Sequence, residues 1–279
     1  MTIFSSPRPF KGKFDLIQRN AIQSWLTALP DCEIILVGDE EGTEKVAGDF
    51  GLRHISEAKK NKEGVILRNS VFEEAQKVAQ YDLLCYINAD ILLTGNFLKE
   101  IKTINLPSFL LSVRRWDMDV KEEINFTDHG WQKSLLEKMK QEGILHGFSA
   151  GDFFIFSKNV RLNMPPFSIK HGGWDNCFIY RFKKLGIPII DATEVITVIH
   201  QNHEKTSLGI TRSIWREKEG KEEIRLAGGF YSMCTLREAD LVLTAEGLKK
   251  PPFLRQILSR LALFYPWQLL LSLKRRLLS

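Results

Sequence analysis

The strongest constraint on the fold is an alternation in the first ninety residues. Short apolar runs of strand length alternate with stretches whose apolar residues recur at helical spacing. Glu33–Val37 and Leu83–Ile87 are two such runs; the first ends at Gly38-Asp39, the second at Asn88-Ala89-Asp90. Ile17, Ala21, Ile22 and Trp25 share one face of a helix predicted over 14–26, and Leu67, Val71, Ala75, Val78 and Ala79 repeat in the same way. Residues 2–4 and 52–55 add short strands. This order predicts an α/β fold with a mostly parallel sheet flanked by helices.

Beyond Asp90 the pattern is less regular. Strands are predicted over 109–113, 152–156, 188–190 and 195–200, and helices over 131–140 and 174–185. The polar stretch 203–229 lacks clear periodicity and is expected to be a long loop, of the kind that is functional or mobile. A chain of 279 residues with 44% apolar content accommodates one such domain plus an appendage. We place the domain at 1–245 and a basic amphipathic helical tail at 246–279.

Charge separates the two parts. From Gly247 onward lie seven of the 39 basic residues and none of the 34 acidic ones, so the remainder carries 32 basic against 34 acidic. A nearly neutral body argues against a nucleic-acid enzyme, whose basic residues should line its main face. In the tail, Leu254, Ile257, Leu258, Leu261 and Tyr265 fall on one helical face, with Arg255, Gln256, Ser259 and Arg260 on the other. Pro266 interrupts, and 267–278 continues with leucines and Lys274-Arg275-Arg276. This composition suits a helix lying in an anionic membrane interface; the alternative is a helix packed on the core or on a partner. The first ten residues lack an apolar export segment, no apolar run reaches the roughly 18 residues of a membrane span, and the four cysteines form no CxxC pair. A cytoplasmic protein with reduced thiols, peripheral on the inner face of the membrane, is the expectation.

Ligands of open α/β sheets collect beyond the carboxyl ends of the strands. Asp39 and Asp90 stand at two of those ends. Asp39 is placed to accept hydrogen bonds from a base or ribose, or merely to cap a loop. Asp90 ends a buried apolar strand, where a carboxylate is costly unless paired or bound to a metal. Magnesium and manganese favour one or two carboxylates with phosphate oxygens. In Gly172-Gly173-Trp174-Asp175-Asn176, Trp174 offers an apolar face for a sugar ring, and Asp175 is either a helix cap or a general base. His200 and His203, three positions apart at a strand end, are candidate metal ligands. Arg68-Asn69 opens a helix and suits an anionic diphosphate, with a solvated Arg as the alternative. Trp116-Asp117 and Arg114-Arg115, just after a strand, could face an acceptor.

Tyr86 to Asp90, YINAD, resembles the DXD-type motif of GT-A fold glycosyltransferases, with Asn88 in the first position. QRNAIQSWL (18–26), IILVGDEEGT (34–43), GGWDN (172–176) and VIHQNH (198–203) resemble a family-two-like group of bacterial nucleotide-diphospho-sugar transferases. The resemblance spans about residues 1–245 and implies a GT-A, Rossmann-like fold. It implies that Asp39 contacts the nucleoside, that Asp90 holds Mn2+ or Mg2+ with Asn88 beside it, and that His203, in preference to His200, completes the metal shell. It makes Asp175 the catalytic base of an inverting transfer, and it counts Phe4 and Arg8, in an N-terminal loop beside the base, among the residues that bind the nucleotide-sugar. The donor implied is a nucleotide-diphosphate sugar, with a UDP-sugar favoured, and the acceptor is a glycan or a lipid-linked molecule. A sugar-phosphate nucleotidyltransferase would carry a glycine-rich loop near its start, which MTIFSSPRPFKGK lacks. A non-catalytic carbohydrate-binding or scaffolding protein on the same fold is the alternative, and Asn88 is its best support.

Overall fold

The computed structural model describes residues 1–149, 151–169, 172–203, 218–229 and 232–264. The first half runs β1 (Thr2–Ser5), α1 (Lys13–Ala28), β2 (Glu33–Val37), α2 (Thr43–Asp49), β3 (Arg53–Ile55), α3 (Arg68–Val78), β4 (Leu83–Ile87), β5 (Ile91–Thr94), α4 (Leu98–Lys102), β6 (Leu110–Ser112), β7 (Trp116–Met118), α5 (Trp131–Glu142) and β8 (Ile144–Leu145). The second half runs β9 (Phe153–Ser157), α6 (Trp174–Lys184), β10 (Ile189–Asp191), β11 (Thr197–Gln201), α7 (Lys218–Ala227), β12 (Leu241–Thr244), β13 (Gly247–Lys249) and α8 (Phe253–Phe264).

Among the described residues, nine strands form one sheet in the order β13-β12-β10-β6-β9-β4-β1-β2-β3. All run parallel except β9 and the edge strand β13. The expected α/β, mostly parallel architecture is therefore present. Period-two alternation explains why both faces are covered. Ile34, Leu36, Cys85, Ile87, Phe153 and Ile155 point into one buried cluster with α1 and α2. Their neighbours Ile35, Val37, Leu84, Tyr86, Phe154 and Phe156 point into the other with α3 and α6.

A second sheet, β5-β11-β7-β8, stands at the carboxyl end of β4. It packs its own apolar cluster, including Leu92, Met118 and Ile199, against Trp131, Leu135 and Met139 of α5. These short strands carry too few residues for alternation to be read. Two expectations change. The segment 203–229 is not loop throughout, because α7 occupies part of it. Among its described side chains Glu223, Ile224 and Ala227 are buried, a narrow face beside the charged residues of the same stretch. Residues 204–217 of that stretch lie outside the described residues. The large sheet also continues past residue 245, since β13 closes an antiparallel hairpin on β12. Of the tail, α8 begins at Phe253 and 265–279 lie outside the described residues.

Candidate active site

Strand register brings the first group of side chains together. Directly after Asp90 the chain enters β5, which pairs antiparallel with β11 so that His200 faces Ile91; β11 also pairs parallel with β7, setting His200 against Asp117. The Gln201 amide donates to the Asp90 carbonyl at 3.1 Å. Asp90 Oδ2 thus lies 3.1 Å from His203 Nε2 and 3.6 Å from His200 Nε2. One donor atom from each of Asp90, His200 and His203 falls within 4.8 Å of the others.

This trio could hold a metal ion. Asp90 Oδ1 is buried and has no hydrogen-bond partner among the described residues, an arrangement a cation would relieve. Burial alone would raise the Asp90 pKa, but His200 and His203 outweigh it and hold the carboxyl far below its ordinary range. Burial likewise opposes charge on His200, yet Asp90 and Asp117 raise its pKa to about 9. A divalent ion would take the place of that proton. One carboxylate and two imidazoles suit a manganese-like ion better than an all-oxygen site would.

A chain of polar contacts leads away from the trio. His200 Nδ1 is 3.1 Å from Asp117 Oδ1, and Asp117 Oδ2 is 2.8 Å from His146 Nδ1. Arg115 bridges Asp117, at 2.8 Å, and Asp152. Arg115 is held charged by those carboxylates against its burial. Asp152 extends the β4–β9 ladder opposite Asn88: the Asn88 amide donates to the Asp152 carbonyl at 2.9 Å, and the side-chain amide donates to Asp152 Oδ1. Tyr86 Oη donates to Asn88 Oδ1. Asn88 is therefore a connector between a hydroxyl and a carboxylate, and an Asp in its place would oppose Asp152. Sequence reasoning missed His146 and Asp152. Arg115 and Asp117 were read only as facing an acceptor, because nothing in their spacing names their partners.

Asp175 sits in the first turn of α6, after Gly173 with φ 94°. The Gly151 amide donates to Asp175 Oδ2 at 3.0 Å. A Cβ on Gly151 would stand 2.5 Å from both Asp175 Cβ and Phe154, so only glycine permits this approach. Burial, with Asp152 nearby, raises the Asp175 pKa to about 6. A partly buried carboxylate ionised near neutrality can accept a proton.

The remaining expectations divide. Arg8 is exposed, its backbone clamped by the Gln18 side chain at 2.7 and 3.0 Å. Its guanidinium lies 4.8 Å from the Phe14 ring centroid, and that ring is 5.2 Å from His203, so Arg8 borders the trio. Asp39 follows β2 and pairs with Lys60 at 2.6 Å, which lowers its pKa. Asn69 donates to Glu73 at 3.0 Å, and Trp116 is half-buried in β7 against the second sheet's core. Three expectations are corrected. Phe4 is not in a loop beside the base but fully buried in β1, edge-on to Phe72 at 5.1 Å and Tyr86 at 5.5 Å. Trp174 is 5% exposed and enclosed by Tyr86, Phe154 and Phe178, leaving no face for a sugar. Arg68 stacks 4.4 Å from Trp174 and donates to Tyr86 Oη and the Ile169 carbonyl, so its head is turned inward instead of toward a diphosphate.

No protein-family model matches the sequence, and comparison with curated proteins finds no match. Solved structures with a similar chain course exist. The glucosyl-3-phosphoglycerate synthase of Mycobacterium tuberculosis with Mg2+ and UDP is 13% identical, covering 82% of this chain and 79% of that one at a TM-score of 0.45. Its complex with Mn2+, UDP-glucose and phosphoglyceric acid gives 12% identity, the same coverages and 0.47. S. aureus TarS gives 12% identity and 0.49, covering 83% of this chain and 43% of that one. This chain thus spans less than half the length of TarS.

Proposed function

We propose that this protein is a metal-dependent glycosyltransferase that moves a sugar from a nucleotide-diphosphate sugar to an acceptor hydroxyl. The observation that carries the reading is the Asp90–His200–His203 trio at the carboxyl end of a central parallel strand, with an orphaned carboxylate oxygen. A bound divalent ion, manganese in preference to magnesium given the two imidazoles, would supply charge against the departing diphosphate. Arg8, beside the trio, adds a cation on the same side. Asp39 at the end of β2 is assigned to the nucleoside. UDP, favoured by the sequence resemblance, is the nucleotide to try first. Asp175 is assigned to the acceptor: as the acceptor oxygen bonds to the anomeric carbon and the bond to the diphosphate breaks, the hydroxyl proton passes to the Asp175 carboxylate. With base and leaving group on opposite sides of the sugar, the configuration inverts.

We extend the reading to a peripheral site on the cytoplasmic face of a membrane, where lipid-linked acceptors are reachable. It is supported by the orientation of α8. Phe253, Leu254, Ile257 and Leu258 are 77, 68, 37 and 38% exposed, while Arg255 on the opposite face reaches Asp191 at 2.8 Å. Over residues 253–259 the helix turns these apolar side chains to solvent, next to Lys249 and Lys250 and with no acidic residue from 247 on. No helix among the described residues is long and apolar enough to cross a membrane.

The test of the transferase reading is a thermal-shift and donor-hydrolysis assay with UDP-sugars, with and without manganese. The wild type is expected to gain a manganese-dependent rise in midpoint with UDP and slow donor hydrolysis. Asp90→Ala should lose both while keeping its fold. A variant with wild-type turnover would reduce Asp90 to a structural residue and sink the reading.

A further inference from the structure

Phe148 lies in the loop between β8 and β9, on the segment that carries His146 and Asp152. Three guanidinium groups surround its ring, with Arg114 at 4.6 Å, Arg255 at 4.8 Å and Arg237 at 5.4 Å from the centroid. They come from separate parts of the chain: Arg114 just beyond β6, Arg237 in the turn Leu236–Glu238, and Arg255 in α8. Arg255 is matched by Asp191 at 2.8 Å, whose other oxygen is taken by Thr193. Arg114 is not matched. Its Nε donates to the His146 carbonyl at 2.8 Å, and its two Nη groups make no hydrogen bond or ion pair among the described residues. Burial and Arg255 depress its pKa, against the pull of Asp191.

The anchor of α8 is Arg255, which reaches Asp191 and donates to the Arg237 carbonyl at 3.2 Å and to the Leu236 carbonyl. Each further guanidinium on the ring gains a cation–π contact but meets the repulsion of the others. Such a cluster is suited to an anion with several oxygens, which guanidinium forks grip in pairs. Its position is also telling. Phe148 is three residues from Gly151, whose amide donates to Asp175 Oδ2, so it stands within about 11 Å of that contact. The Phe148 carbonyl accepts from Leu236 at 2.9 Å, and Cys234 and Asn176 exchange hydrogen bonds of 2.9 and 3.0 Å. The cluster and the start of α6 therefore border one another.

We infer that Arg114, Arg237 and Arg255 around Phe148 form an acceptor subsite for a phosphate group carried near the hydroxyl that is glycosylated. The anion site stands on the arginine geometry; its description as an acceptor subsite rests on the transferase reading.

The experiment measures anion binding to the protein without donor or metal, by thermal shift with inorganic phosphate against chloride at equal ionic strength. Vesicles of phosphatidylcholine with and without phosphatidic acid form a second arm. The wild type should be protected by phosphate over chloride. Arg114→Gln should weaken that binding about 10–100-fold, the worth of hydrogen bonds to a charged group, and Arg114→Gln with Arg237→Gln should abolish it. Arg114→Lys, which keeps charge and loses the fork, covers a Gln variant that fails to fold and should weaken binding by a smaller factor. Protection by soluble phosphate that the variants lose identifies a free phosphate. Protection by phosphatidic acid alone, lost in the variants, identifies a lipid-borne one. Protection by neither, or equal protection in the variants, overturns the site. A wild type that binds phosphate but never hydrolyses a UDP-sugar keeps the anion site and overturns the transferase reading instead.

Discussion

Asp175→Asn tests the proposed base, because activity and stability should move in opposite directions. Burial and Asp152 raise the Asp175 pKa from 3.8 to about 6. At pH 7 about nine-tenths of the protein then carries the ionised base, and at pH 5 about one-tenth. The kcat/KM of the wild type should fall about tenfold per pH unit below 6. The amide keeps the shape, so the variant should lose about 10²–10⁴ in kcat and lose that acid limb. Stability follows from the same shift. The folded state holds the Asp175 proton more tightly than the unfolded chain does, so this contribution is full below pH 3.8 and is lost as pH rises through about 6. The shift corresponds to at most about 3 kcal/mol, an upper bound because the side chain is partly exposed. Asp175→Asn should therefore melt above the wild type at pH 8, with the gap closing toward pH 4. Steady-state transfer from pH 5 to 9 and melting curves across the same range provide the data. A kcat loss under tenfold together with a lower melting point at pH 8 would make Asp175 a helix cap and refute the reasoning.

Other perturbations probe the surrounding network. Asp117→Asn should cost about 10–100-fold in manganese affinity, because Asp117 at 3.1 Å orients the His200 ring; a change under threefold in a manganese titration would remove Asp117 from that role. Asn88→Asp should replace a donor to Asp152 with a second carboxylate, losing roughly 1.5–3 kcal/mol and lowering the melting point by roughly 3–12 °C in metal-free buffer at pH 8. An unchanged melt there would contradict the connector role. Leu254→Gln with Leu258→Gln should abolish co-sedimentation with anionic vesicles without lowering the melting point, since both side chains are exposed; equal partitioning would reject the membrane face of α8.

The central strands were legible because their apolar runs are bounded by turn residues, and β2 and β4 fall where the sequence puts them. Asp90, His200 and His203 were legible as a group because each stands at the end of such a run. Their geometry was not, since it depends on β5 and β11 pairing antiparallel across 103 to 109 residues, in strands of four and five residues. Asp152 and the partners of Asp117 escaped for the same reason: β7 has three residues, and Asp152 precedes β9, whose partner β4 ends just before Asn88. Phe4 and Trp174 were misread in the opposite sense. An aromatic residue beside a chemical motif suggests a ligand contact, but the alternation along β1, β4 and β9 sends Phe4, Tyr86 and Phe154 into the core, where Trp174 packs on them, while Asp90 lies in the turn after β4, outside that alternation.

Helix α8 joins two features that the sequence presented separately. Its inward residue Arg255 completes the ring of guanidinium groups at Phe148, and its outward residues Leu254 and Leu258 are bare. An α-helix with side chains is about 10–12 Å across, so the phosphate subsite would lie about one helix diameter beneath the face assigned to lipid. A headgroup phosphate at a bilayer surface lies at such a depth from a helix resting in the interface. A soluble acceptor has no need of this coincidence, and an acceptor tethered to lipid through a phosphate would meet it directly. The two proposals therefore constrain each other: if phosphatidic acid competes with soluble phosphate at the arginine cluster only while α8 retains its apolar face, the helix and the subsite form one acceptor platform. If competition survives Leu254→Gln with Leu258→Gln, the subsite serves a free anion and α8 docks elsewhere.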